Sequence, residues 1–164
     1  MVVNEKDRFI QGWEKEYQTT LKVLKAYPST KSELRPHQKC PTAKELVWRM
    51  VGEESMFVNG VIAGQIDFTG HPPVPATLPE ILSSYEKNHK ELTAKLHAMP
   101  EADLNKTMKF MVAPKTPGDV RRGDILWLFL MDTVHHRGQF SIYLRMADGK
   151  VPSIYGPTAD EPWM

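Results

Sequence analysis

Asp132 and His136 stand four residues apart within an apolar run that extends from Ile125 to Met146. Residues at i and i+4 stack on one face of an α-helix, and Phe129, Phe140 and Tyr143 recur near that face at helical spacing. The pattern therefore directs a carboxylate and an imidazole into a core. Burying such groups is costly unless a metal ion, an opposite charge or hydrogen bonds satisfy them. Either a site or a compensating polar network is expected here. His135, about 100° further round the helix, is expected at the surface or at a helix interface rather than as a ligand.

Nothing else in the chain supplies a self-sufficient catalytic set. No Ser-His-Asp or Cys-His pair stands at a credible spacing and no phosphate loop is present, so chemistry at Asp132 and His136 would run through a metal ion or a thiol cofactor. Cys40 is the only cysteine, which excludes an internal disulfide and a cysteine-rich metal site and fits a reducing compartment. With 21 Lys and Arg against 20 Asp and Glu the net charge is +1. Without a basic cluster to track phosphates, no nucleic-acid partner is expected. The charged start, Met1 to Arg8, is followed by no long apolar run. Neither a signal peptide nor a membrane span is expected, and the cytoplasm is the expected compartment.

The elements that must position these residues read as four helices. The length and the 41% hydrophobic content suit one domain, residues 1–164, with a single core. The first helix begins after Asn4, carries Phe9, Ile10, Trp13, Tyr17, Leu21 and Leu24 on one stripe, and ends before Pro28. Thr42 and Glu45 form a capping box that opens the second, which runs to about Gly64. Residues 65–77, with Gly70, Pro72, Pro73 and Pro75, read as a long connection rather than a tight turn. The third helix spans about Leu78 to Met99, with His89 packed or partly exposed and His97 at the surface. Residues 105–112 alternate as an extended segment would, and the fourth helix is expected to be capped by Gly123 or Asp124.

The segment Asp132-Thr-Val-His-His-Arg-Gly-Gln139, with Tyr143-Leu-Arg145 and Val151-Pro-Ser-Ile-Tyr-Gly-Pro157, resembles the signature of the DinB-like, damage-inducible family of small helical proteins. The segment Glu45-Leu-Val-Trp-Arg49 is similar to the family's second helix. The resemblance implies an all-α fold, a four-helix bundle with a long crossover connection and non-sequential topology, an irregular C-terminal tail packed on it, and a homodimer. It also implies a divalent metal held by three histidines, one on the second helix and an H-x-x-x-H pair on the last, in a family that contains metal-dependent hydrolases and thiol transferases.

This chain departs from that triad at two positions. Arg49 stands where the family has its second-helix histidine, and Asp132 stands first in the H-x-x-x-H pair, so only His136 is retained. Asp132 and His136 can ligate zinc, nickel or iron, whereas the always-protonated guanidinium of Arg49 has no lone pair to offer. Three readings stay open. Arg49 can replace the cation by pairing with Asp132. Alternatively Glu53, Glu54, His135 or water completes a metal site, or no meaningful pocket forms. The expected pocket comprises Arg49, Glu53, Asp132, His136 and Gln139, suited to an anionic small molecule. Arg137 and Arg145 are expected to tether the C-terminal segment. The functional classes are a metal-dependent enzyme, a binding module with no cofactor, and a stress-response interaction protein.

Overall fold

The computed structural model describes residues 4–70 and 72–164; Met1 to Val3, part of the start read above, and His71 lie outside the described residues. Four helices carry the fold: α1 (Glu5–Lys25), α2 (Ala43–Ala63), α3 (Leu78–Ala98) and α4 (Arg122–Met146). Asn4 caps α1 by accepting from the Asp7 amide, and Thr42 and Glu45 form the expected capping box. A second box, Thr77 with Glu80, opens α3. α2 ends at Gly64, which adopts φ +82°, a left-handed geometry that a Cβ would strain. The expected cap of α4 is corrected: Arg121 holds the N-cap position without a side-chain cap, and Asp124 sits in the first turn beneath it. The extended segment is one arm of a hairpin, β1 (Thr107–Ala113) paired antiparallel with β2 (Thr116–Arg121).

Direction follows from side-chain pairs. Lys95 binds Asn59 and His89 meets Glu54, so α2 and α3 run side by side in the same direction. Glu53 faces His136 while Phe57 stacks on Phe129, so α2 and α4 are antiparallel. Arg121 pairs with Glu5 and Arg137 with Glu16, which makes α1 and α4 parallel. The expected non-sequential bundle is present. Two parallel neighbours of 21 residues each require a return path of about 31 Å. Residues 64–77 supply it by running back along α2, within an extended reach of about 46 Å.

The apolar core divides into two halves. One gathers Tyr17 to Tyr27, Ala43 to Val51, Leu78 to Tyr85 and Phe140 to Ala147, and the other gathers Phe9 to Trp13, Val58 to Ile66, Leu92 to Met108 and Ile125 to Leu130. Between them lies a layer of polar groups. Glu54, 1% exposed, accepts from the Trp13 indole N–H at 3.0 Å and meets His89 Nδ1 at 2.7 Å. The His89 ring stacks flat on Tyr17 at 3.6 Å, and its Nε2 lies 3.3 Å from Glu14. Burial pushes the Glu54 carboxyl above its ordinary range, and the His89 contact opposes that shift.

This pair ties α1, α2 and α3 together, and removing one member leaves the others desolvated without a partner. Glu54→Ala is expected to lower stability by about 3–5 kcal/mol in urea unfolding. The double variant Glu54→Leu/His89→Leu is expected to recover most of that loss. Equal losses in the single and double variants would show that the contact does not carry the effect.

Candidate metal centre and its cavity

Glu53 lies one turn beyond Arg49 on α2 and next to Glu54, but 100° round the helix from it. Glu54 therefore points between α1 and α3 while Glu53 points at α4. There it meets the two residues that the i, i+4 spacing places on one face. His136 Nε2 lies 3.4 Å from Asp132 Oδ2 and 3.7 Å from Glu53 Oε2. One ligand atom from each of Glu53, Asp132 and His136 falls within 4.8 Å of the other two. His136 is 9% exposed, whereas Glu53 and Asp132 are partly exposed at the cavity wall.

The spacing fits a cation. Four ligands at about 2.0–2.1 Å round a tetrahedral ion stand about 3.3–3.4 Å apart, close to the two separations found here. They are also longer than a good hydrogen bond, so the gap suits an ion better than direct contacts. The donor set is two carboxylate oxygens and an imidazole nitrogen. Its charges match a divalent ion, since two carboxylates offset two positive charges. His136 Nδ1 lies 3.0 Å from Gln139 Oε1, and the Gln139 amide nitrogen lies 2.9 Å from His135 Nε2. A proton donated from Nδ1 to Gln139 fixes the tautomer that leaves the Nε2 lone pair facing the two carboxylates. With Nε2 unprotonated and no cation between them, those acceptors repel. Burial raises the Glu53 carboxyl to about 7, with Asp132 adding to the rise and His136 and Arg49 opposing it. Near neutral pH a proton on Glu53 therefore relieves the same repulsion that a metal ion would.

The expected pairing of Arg49 with Asp132 is corrected. Among the described residues no ion pair joins them, and the side chain beside the Asp132 carboxylate is the His136 imidazole, 3.4 Å away. Arg49, Glu53 and Asp132 instead all line a cavity of about 560 Å³. Apolar side chains make up much of the rest of the lining: Trp48, Met56 and Phe57 come from α2, and Phe68, Pro73 and Val74 from the returning connection. Trp48 Nε1 donates to the Pro72 carbonyl at 3.1 Å, pinning that connection to the helix. Phe57 and Phe68 both pack on Phe110 of the hairpin, which buttresses the cavity from outside. The apolar wall is what the sequence reading missed. Phe68 and Val74 sit in a proline-rich stretch without periodicity, so only the path of the connection brings them to the site.

The two signature arginines are tethers. Arg137, 1% exposed, donates to Glu16 Oε2 at 2.6 Å, to Thr20 at 3.2 Å and to the Tyr155 hydroxyl. Arg145 pairs with Asp160 at 2.6 Å, and Lys22 with Glu161 at 2.9 Å. Together they hold the irregular tail, residues 147–164, against α1 and α4.

Comparison with known proteins agrees with this architecture. YrdA, an uncharacterized protein of Bacillus subtilis (strain 168), is 26% identical over 161 residues, 94% of this chain and 90% of that one. The crystal structure of a DinB-like protein from Bacillus cereus ATCC 10987 superposes with a TM-score of 0.75 at 23% identity, over 90% of this chain and 95% of its own. A DinB-like protein of Bacillus subtilis, YjoA, gives 0.73 at 17% identity, over 90% and 97%. At those identities the structural matches show the fold alone. The model of the DinB family matches residues 1–163, and the chain belongs to the DinB family.

Proposed function

We propose that this protein acts on or binds a small molecule through a divalent cation, zinc, nickel or iron, held by Glu53, Asp132 and His136. The observation that carries the reading is the convergence of three ligand atoms at metal-like spacing, two of them on residues that line a cavity of ligand size. When bound, the cation supplies Lewis-acid polarisation of a coordinating oxygen or sulfur, the chemistry of a hydrolase or a thiol transferase. The chain's own residues do the rest. His136 presents Nε2, and Gln139 behind it holds the ring. Glu53 and Asp132 would offset the charge of such an ion and so leave it a weaker polariser than three neutral imidazoles would. Arg49, lining the same cavity, restores one positive charge where an anionic ligand would enter.

Stoichiometric metal binding tests this. Purified protein is expected to hold one divalent ion per chain in equilibrium dialysis, and His136→Ala or Asp132→Ala to weaken it about a hundredfold or more, since each removes a direct ligand. Affinity is expected to rise as pH increases through about 7, where Glu53 sheds its proton. Arg49→His removes a repulsive charge and adds a donor, so it is expected to tighten binding about tenfold or more. Wild-type protein that takes up no zinc, nickel or iron above background would overturn the reading.

The same proposal includes a homodimer built on the outer face of α4. Leu128, Met131, Ile142 and Met146 are about half or more exposed there, and they form a stripe nearly symmetric about residue 137. Antiparallel docking of two such helices sets Leu128 near the partner's Met146 and Met131 near the partner's Ile142, the self-complementarity that a two-fold contact requires. A Cβ at Gly138 would meet nothing within 4 Å, which leaves room for a second helix to approach. Sedimentation at micromolar concentration is expected to show a dimer of the 18.7 kDa chain and Met131→Glu a monomer. A monomeric wild type would refute the dimer without touching the metal site.

A further inference from the structure

The cavity lining is of two chemical kinds. Arg49, Glu53 and Asp132 bring charge to it, and Phe57, Phe68 and Val74 bring apolar surface. A site for a small hydrophilic anion has no use for an aromatic wall on a connection that could have been polar. Phe68 is 49% exposed and Val74 43% exposed, both facing into a space of about 560 Å³. Leaving such side chains against water is unfavourable, and an apolar ligand body that covers them gains the area it removes from solvent. Among the described residues Arg49 makes no ion pair, although it lies near enough to lower the proton affinity of Glu53. Its guanidinium is therefore available to an anionic group, and its planar fork suits a carboxylate, sulfonate or phosphate.

From these two features we infer that the ligand is an amphipathic monoanion: one acidic group held by Arg49 beside the metal cluster, and an aromatic or otherwise flat apolar body laid between Trp48 and Phe57 on α2 and Phe68 on the connection. Phe68 and Arg49 are the residues that set this specificity. The size supports the assignment, because the space lies within the range of about 300–1,000 Å³ typical of sites for drug-sized molecules and far exceeds what a single small anion fills. The inference deepens the metal-site reading and rests on it only for which end of the ligand would react.

Two fluorescent probes of nearly the same shape separate the two contributions: anilinonaphthalene sulfonate, which carries one anionic group, and phenylnaphthylamine, which carries none. Wild-type protein is expected to bind each at one site per chain, the sulfonate more tightly. Arg49→Gln is expected to weaken the sulfonate about tenfold or more, and phenylnaphthylamine by less than about twofold. Arg49→Lys, which keeps the charge, is expected to restore most of the sulfonate affinity. Phe68→Ser is expected to weaken both probes alike. Circular dichroism melts confirm that the variants remain folded.

Sulfonate binding unchanged in Arg49→Gln would overturn the assignment of the anion anchor. Probe binding unaffected by Phe68→Ser, or spread over several sites, would place it on another surface, the α4 stripe included, and overturn the whole inference. Metal uptake is measured on the same samples. Protein that takes no metal but shows the expected probe pattern refutes the metal reading alone. Protein that holds metal but binds neither probe refutes this inference alone. His136→Ala is expected to lose the metal and keep phenylnaphthylamine.

Discussion

The parallel arrangement of α2 and α3 is the constraint on which the site depends. Neighbouring helices that run in the same direction cannot be joined by a tight turn. The chain must travel back along the bundle, and it does so over α2 through residues 64–77. That return path is what makes a cavity. It brings Phe68, Pro73 and Val74 to the cavity that Arg49 and Glu53 of α2 also line, and the Trp48 hydrogen bond to Pro72 fixes it there. Prolines in the connection suit this role, because they lack an N–H that would otherwise need a partner and they restrict the backbone to extended forms. A bundle with only short turns would present the same three ligands on an open groove between α2 and α4.

The second organising feature is the polar layer that separates the two apolar halves of the core. Consecutive glutamates on α2 serve its two sides. Glu54 is enclosed with His89 and Trp13, where low dielectric strengthens its contacts and makes loss of either partner costly. Glu53, only one residue earlier, reaches the cavity wall and keeps access to solvent. Burial raises both carboxyls, but the outcomes differ. The enclosed one has its neighbours permanently in place, whereas the one at the wall faces two further acceptors and calls for an exchangeable cation or proton. Arg137, buried at the same level, secures the tail and α1 to α4, which fixes the rotation of α4 and with it the aim of Asp132 and His136.

Much of this was legible in the residues. The caps at Asn4 and Thr42 and the stripe on α1 are local signals, and the Asp132–His136 spacing belongs to a single helix. What failed to show required knowing how helices lie against each other. Arg49 and Asp132 do line one cavity, but no ion pair joins them among the described residues, and it is Glu53, one turn or about 5.4 Å along α2, that meets His136; sequence does not set the phase of α2 against α4 to that precision. His89 read as an ordinary packed histidine because its partner Glu54 lies 35 residues away on a helix whose neighbour could not be identified. β2 was hidden by its composition: Thr116-Pro-Gly-Asp-Val-Arg121 contains residues depleted in strands. Pairing with β1, including the Lys109–Asp119 contact at 2.8 Å, holds it extended.

The departure from a three-histidine site reads differently once the phase of the helices is known. Substituting Arg at position 49 removes a ligand and adds a positive charge, which taken alone would drive a cation away. Glu53 one turn along, together with Asp132 in place of a histidine, adds two negative charges to the same lining. The cluster thus exchanges neutral donors for anionic ones and gains an arginine that makes no ion pair among the described residues. Arg49 thereby brings a fixed positive charge to the lining of the cavity that Phe57 and Phe68 also line. On the proposed metal-bound reading, such a site would give up polarising power at the ion and gain a fixed point of attachment for an anion. Physically, that would favour holding and orienting a particular ligand over activating whatever reaches the cation.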